Sequence, residues 1–165
     1  MSIYKYNRNF ATEYAIKWAK TRNNNYYNFD KLGGDCTNFI SQCIYAGCNQ
    51  MNYTPVLGWF YNNANSRSPA WTGVEFLYNF LTANFNGVGN KFGPFGKLVN
   101  KSDIEIGDII QLSFNGTTFN HSLIVSKIIN NEIYICAHST DSLNKPLSHY
   151  SYNKIRFIKI LGYRK

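Results

Sequence analysis

An α+β fold is predicted by the way two periodicities divide this chain of 165 residues. Apolar residues recur at helical spacing through its earlier segments, while short apolar runs bounded by turn residues fill the later ones. A two-residue turn at Asn130-Asn131 makes two of those runs antiparallel neighbours. Helices first and strands after read as N-terminal helices packed against one side of a C-terminal antiparallel sheet. The length suits a single domain over residues 1–165.

Between residues 10 and 20 the apolar positions are Phe10, Tyr14, Ala15, Trp18 and Ala19, a stripe with Asn9 as its expected N-cap. A second helix is expected from Cys36, with Phe39, Ile40, Cys43 and Ile44 inward, Asp35 capping its start and Gly47 its end. The polar segment between them carries Tyr26 and Tyr27, whose phenols either face solvent or reach over the second helix. Residues 50–70 read as a long loop holding Trp59, Phe60 and Tyr61, with Trp71 at its end; such a loop either walls a cleft or covers the sheet. Thr72 and Glu75 have capping-box spacing before a third helix burying Val74, Leu77, Phe80 and Leu81, and residues 84–96 read as another loop. Strands are expected over 108–114, 121–129, 132–138 and 155–161.

The formal charge of +8 suits an anionic partner such as a cell-wall polymer, yet Lys and Arg are scattered and form no nucleic-acid-binding stripe. No apolar run is long enough to span a bilayer. The opening residues show no export signal, which leaves a protein that stays inside, leaves by another route, or is an excised domain. The four cysteines form no C-x-x-C pair, so neither a zinc site nor a disulfide framework is indicated, and no cofactor is expected. A monomer is expected.

Candidate chemistry centres on Cys36. A cysteine opening a helix meets unpaired N–H groups and the positive end of the macrodipole, which favour a thiolate; the alternative is a small buried apolar residue. A cysteine nucleophile needs a base, and the base needs an orienting group. His121 opens a strand and His138 closes its hairpin partner. If paired positions sum to about 261, the two histidines are diagonal neighbours on one face at one rim. Asp141 competes with His138 for the third role, and His149 lies in a polar segment.

The block Gly33-Gly34-Asp35-Cys36-Thr37-Asn38-Phe39-Ile40-Ser41-Gln42-Cys43, with Trp59-Phe60-Tyr61, Ser68-Pro69-Ala70-Trp71, Gly107-Asp108-Ile109-Ile110, His121-Ser122-Leu123-Ile124-Val125 and Ala137-His138-Ser139-Thr140-Asp141, resembles the putative amidase domain family of Gram-positive bacteria. The resemblance covers nearly the whole chain. It implies a papain-like fold related to bacterial cell-wall cysteine peptidases and CHAP amidases, with Cys36 as nucleophile, His121 as base and His138 orienting it. It also draws Tyr26 and Tyr27 in as oxyanion-hole candidates. The expected activity is hydrolysis of a peptide or cell-wall amide without metal. The rivals are acyl transfer by the same residues, or a binding module holding peptide or glycan on the aromatic loop around Trp59 and Trp71.

Overall fold

The computed structural model describes residues 1–85 and 92–165. Its elements run β1 (Ile3–Tyr4), α1 (Arg8–Trp18), α2 (Cys36–Cys48), β2 (Tyr61–Asn63), β3 (Ser66–Arg67), α3 (Pro69–Thr72), α4 (Val74–Phe85), β4 (Gly93–Val99), β5 (Ile109–Ser113), β6 (His121–Ile129), β7 (Glu132–Ala137), β8 (Ser142–Pro146) and β9 (Lys154–Arg164). A sheet in the order β1-β9-β5-β6-β7-β8, with β4 also paired to β9, is antiparallel at every described pairing. The expected α+β class is met.

The sheet is apolar on both faces, and alternation divides them. Ile109, Ile124, Cys136 and Ile158 join the cluster built on α2, which includes Phe39, Ile40, Ile44, Trp59 and Trp71. Ile110, Leu112, Leu123, Val125 and Ile135 turn the other way and pack with Ile104 and Leu147. The strand β5 is therefore buried along its full length. Helix α2 is buried on nearly every side, set between α1 and the sheet, and its polar Thr37, Asn38, Ser41 and Gln42 are buried with its apolar residues.

Several boundaries move for identifiable reasons. Asn7 rather than Asn9 caps α1, its side chain accepting from the Phe10 N–H, so Phe10 falls outside the buried stripe and is exposed. Of the expected stripe Ala15 and Ala19 are buried and Tyr14 and Trp18 pack partly buried against the core, while Ala11 takes the place of Phe10. Gly47 lies inside α2, which ends at Cys48 with Asn49 in the left-handed conformation as its cap. Gly47 is required for space: a Cβ there would run into the Tyr6 ring and come within 2.9 Å of the Asn7 carbonyl. The capping box is absent; the chain breaks at Gly73 between α3 and α4, and Glu75 accepts from the Phe119 N–H and pairs with Arg156.

The loop expected over 84–96 falls in part on residues outside those described, and its end is strand β4, whose Gly-Pro-Phe-Gly opening hides an antiparallel pairing with β9. Arg8 ties the N-terminus to the sheet, donating to Asp108 Oδ1 at 2.7 Å and to the Ile106 and Ile160 carbonyls.

Gly47→Ala is expected to lower unfolding stability by about 1–3 kcal/mol, because no rotamer change relieves a backbone-carbonyl clash. Urea unfolding of both proteins checks it.

Candidate active site

Cys36 is the first residue of α2, as its sequence suggests, but the helix start is built differently from the expectation. The Asp35 side chain makes no capping hydrogen bond. Its Oδ1 accepts instead from the Phe29 N–H at 2.9 Å and the Asn38 side-chain amide at 2.9 Å, while Oδ2 lies 2.6 Å from His138 Nδ1 and 3.5 Å from Arg22 Nε. The carboxylate faces backwards into the preceding loop. Among the described residues no other side chain caps α2, so its opening N–H groups keep their capacity to bind an anionic oxygen.

The loop before Cys36 is fixed from several directions. Gly33 and Gly34 take φ of +85° and +99°, a region that favours glycine. The Gly34 N–H donates to the Phe29 carbonyl, and the Asp35 N–H donates to Ser139 Oγ at 3.0 Å. Arg22 donates to both carboxylate oxygens of Asp141 and pairs with Asp30. Asp141 is thereby an anchor for Arg22, and that pairing holds its carboxyl below the usual range although burial opposes it.

His138 is almost completely buried and stacked on Phe39, ring centroids 3.9 Å apart. Its Nδ1 faces Asp35 and its Nε2 faces the Trp18 carbonyl at 2.8 Å. A carbonyl only accepts, so Nε2 carries a proton, and Nδ1 is held against Asp35 Oδ2. With both nitrogens engaged, His138 makes no hydrogen bond to His121. The hairpin explains why. Lys127 pairs with Tyr134, but Val125 pairs with Ile135 and Ile124 with Cys136, a one-residue shift across an irregularity. Continued two residues along each strand, this register sets His138 level with Ser122. By alternation, His138 then shares the α2 face, and His121 belongs with Leu123 and Val125 on the other. The expectation that the two histidines share one face is corrected.

His121 starts β6 and is 7% exposed. Its ring lies 6.1 Å from those of Phe114 and Tyr150, and no hydrogen bond engages it among the described residues. Burial, with a smaller contribution from the Lys145 charge, pushes its pKa down to about 4. It is therefore neutral at pH 7 and can accept a proton. No hydrogen bond joins it to Cys36; the two segments meet through their neighbours, Thr37 Oγ1 lying 3.0 Å from Ser122 Oγ.

The aromatic candidates divide between core and loop. Trp59 and Trp71 are fully buried, their indole N–H groups donating to Ser41 Oγ and Asn38 Oδ1, so they are core and not a ligand-binding wall. Tyr26 packs against Tyr61 and Trp71, and burial pushes its pKa up to about 12. Tyr27 is 47% exposed, its ring on Phe29 and its carbonyl accepting from Asn38 in the first turn of α2. Sequence reasoning missed Arg22 and Ser139, which hold Asp35 from distant segments; no local pattern marks such partners. Among the described residues, no group of three or more His, Cys, Asp and Glu is placed to hold a metal ion.

Residues 5–161 match the Putative amidase domain family. The chain belongs to this family. Two Bacillus subtilis proteins are similar to it: YhbB, 33% identical over 125 residues, and YjcM, 29% identical over 154 residues. The first match covers 74% of this chain and 37% of the relative, the second 88% and 34%. The chain thus spans about a third of the length of the curated relatives it matches. No solved structure matches it. No helix of the described residues is long and apolar enough to cross a membrane.

The depressed pKa of His121 has a stability consequence. As pH falls from 6.5 towards 4, the unfolded chain takes up a proton that folded His121 refuses, so stability is lost across that window. The loss from this group is up to about 3 kcal/mol. Urea unfolding at several pH values is expected to show a flatter acid limb for His121→Gln than for wild type.

Proposed function

We propose that this domain is a cysteine-dependent amide hydrolase of papain-like architecture, with Cys36 as nucleophile and His121 as general base and acid. Family membership supports amide hydrolysis at the coarse level. The observation that carries the cysteine assignment is the 3.0 Å contact between Thr37 and Ser122, which brings the residue after Cys36 against the residue after His121. A helix-start thiol, with no side chain capping its helix, and a buried neutral imidazole thereby come from two segments in contact. Bonds between nucleophile and base are often long without substrate and tighten when it binds.

In this reading the His121 ring, which stands on the sheet face away from α2, turns about the start of β6 to take the proton of the Cys36 thiol, and the thiolate attacks the amide carbonyl. The tetrahedral oxyanion is received by the Cys36 N–H, with Tyr26 or Tyr27 as the second donor. Collapse breaks the C–N bond; the His121 imidazolium protonates the leaving amine, and a thioester to Cys36 remains. His121 then takes a proton from water, the resulting hydroxide attacks the thioester, and the acid is released with the thiol restored. The part of His138 is to hold Asp35, and through it the loop entering Cys36, in place of orienting His121. A peptide or cell-wall amide is the proposed substrate class.

Treatment of cell-wall fragments and peptides with wild type and Cys36→Ala, read by mass spectrometry, tests this. New free amines are expected only with wild type, the variant losing at least about a thousandfold in rate. Equal product from both proteins would overturn the assignment.

A further inference from the structure

Beneath the helix start, a line of polar side chains crosses three strands of the sheet. Gln111 on β5 pairs in register with Ser122 on β6 and with Arg156 on β9. Thr37, Ser122 and Gln111 are each fully buried. Arg156 donates through Nε and Nη2 to Gln111 Oε1 at 2.8 and 2.6 Å. Gln111 Nε2 donates to the Val74 carbonyl at 3.0 Å and to Ser122 Oγ at 3.2 Å. Ser122 Oγ lies 3.0 Å from Thr37 Oγ1, which lies 3.7 Å from Cys36 Sγ.

Valence fixes the first two directions, while each hydroxyl further along can give or accept. A guanidinium only donates, so it holds the Gln111 amide with its oxygen towards Arg156 and its NH2 towards Ser122. Ser122 receives that hydrogen, and its own hydroxyl hydrogen has Thr37 Oγ1 as its acceptor among the described residues. With Ser122 donating to Thr37, the Thr37 hydrogen is left to reach the sulfur, 3.7 Å away. We propose that Arg156, Gln111, Ser122 and Thr37 form a one-way hydrogen-bond relay that starts on a permanent cation and ends as a donor to Cys36 Sγ, stabilising the thiolate. The relay takes Cys36 as the reacting group, and so rests on the proposed function.

The guanidinium is fixed for this role. It is sandwiched between Tyr78 and Phe119, 3.8 and 3.9 Å from their ring centroids, and paired with Glu75 at 3.3 Å. Each bond in such a chain polarises the next, so an end donor backed by a cation is stronger than a lone hydroxyl. The charged and titratable groups around the line are Asp35 with Arg22 and His138, His121 on β6, Arg156 with Glu75 at the far end, and the buried Cys43 on α2, Cys136 on β7 and Tyr14 on α1. Thr37→Val alters none of them and preserves side-chain shape.

The test is the pH–rate profile of Cys36 alkylation by iodoacetamide, mapped by mass spectrometry. Cys43, Cys48 and Cys136 are buried thiols whose pKa values burial raises, so their labelling separates from that of Cys36. At pH 7, Thr37→Val is expected to react about threefold to tenfold more slowly than wild type, with its midpoint displaced to higher pH. Thr37→Ser should restore the wild-type profile. Ser122→Ala, which leaves the Thr37 hydroxyl unpolarised, should fall between; it decides the matter if Thr37→Val does not fold. Wild-type profiles in both Thr37→Val and Ser122→Ala would overturn the relay, as would a Thr37→Ser profile as displaced as that of Thr37→Val. Amide hydrolysis persisting in Cys36→Ala would defeat the catalytic reading while leaving the alkylation result intact.

Discussion

The contact between Asp35 and His138, 2.6 Å long and closed from solvent, decides what the start of α2 can do. An aspartate at that position would ordinarily accept from the helix's own N–H groups. Here His138, Asn38 and the Phe29 N–H take up its oxygens, and the helix start is left without a side-chain cap. Burying this carboxylate is tolerable because both oxygens are satisfied and Arg22 stands 3.5 Å away. The same bonds tie α1, the loop before Cys36 and the end of β7 into one unit, since His138 also reaches the Trp18 carbonyl.

Two polar systems therefore meet at Cys36 from opposite directions. One is the Asp35 cluster, which orients the backbone entering the helix. The other is the line from Arg156 to Thr37, which crosses the helix-facing side of the sheet beside Ile109, Ile124 and Ile158. Buried polar groups are costly unless fully bonded, and the bonds of Gln111 show how the cost is met: its oxygen takes two hydrogens from Arg156, and its nitrogen serves both Val74 and Ser122. Such a line fixes strand register as well as charge, because slipping β5 by one residue would turn Gln111 to the opposite face.

The fold was legible wherever periodicity was strong. Helix α2, the His121 strand and the Asn130-Asn131 turn, whose two residues both take positive φ, follow from their residues. Strand β4 was not legible, because two glycines and a proline mask a segment whose pairing is supplied by β9, more than fifty residues later. The site was legible in part. Cys36 and His121 stand where their residues place them, at the start of α2 and the start of β6. The relation of His121 to His138 was not legible, because the irregularity near Ser126 shifts the register by one residue and no residue type announces it. Trp59 and Trp71 left two readings open, a binding wall or a cover for the sheet, and only tertiary packing decides for core.

The central claim is that Cys36 forms a covalent acyl bond with its substrate, and the most direct measurement is the intact mass of the protein quenched in acid during turnover of cell-wall peptides. The account predicts a transient mass increase equal to the acyl fragment, mapping to Cys36, labile to hydroxylamine and absent from Cys36→Ala. Turnover with the adduct on another residue, or undiminished turnover by Cys36→Ala, would contradict it.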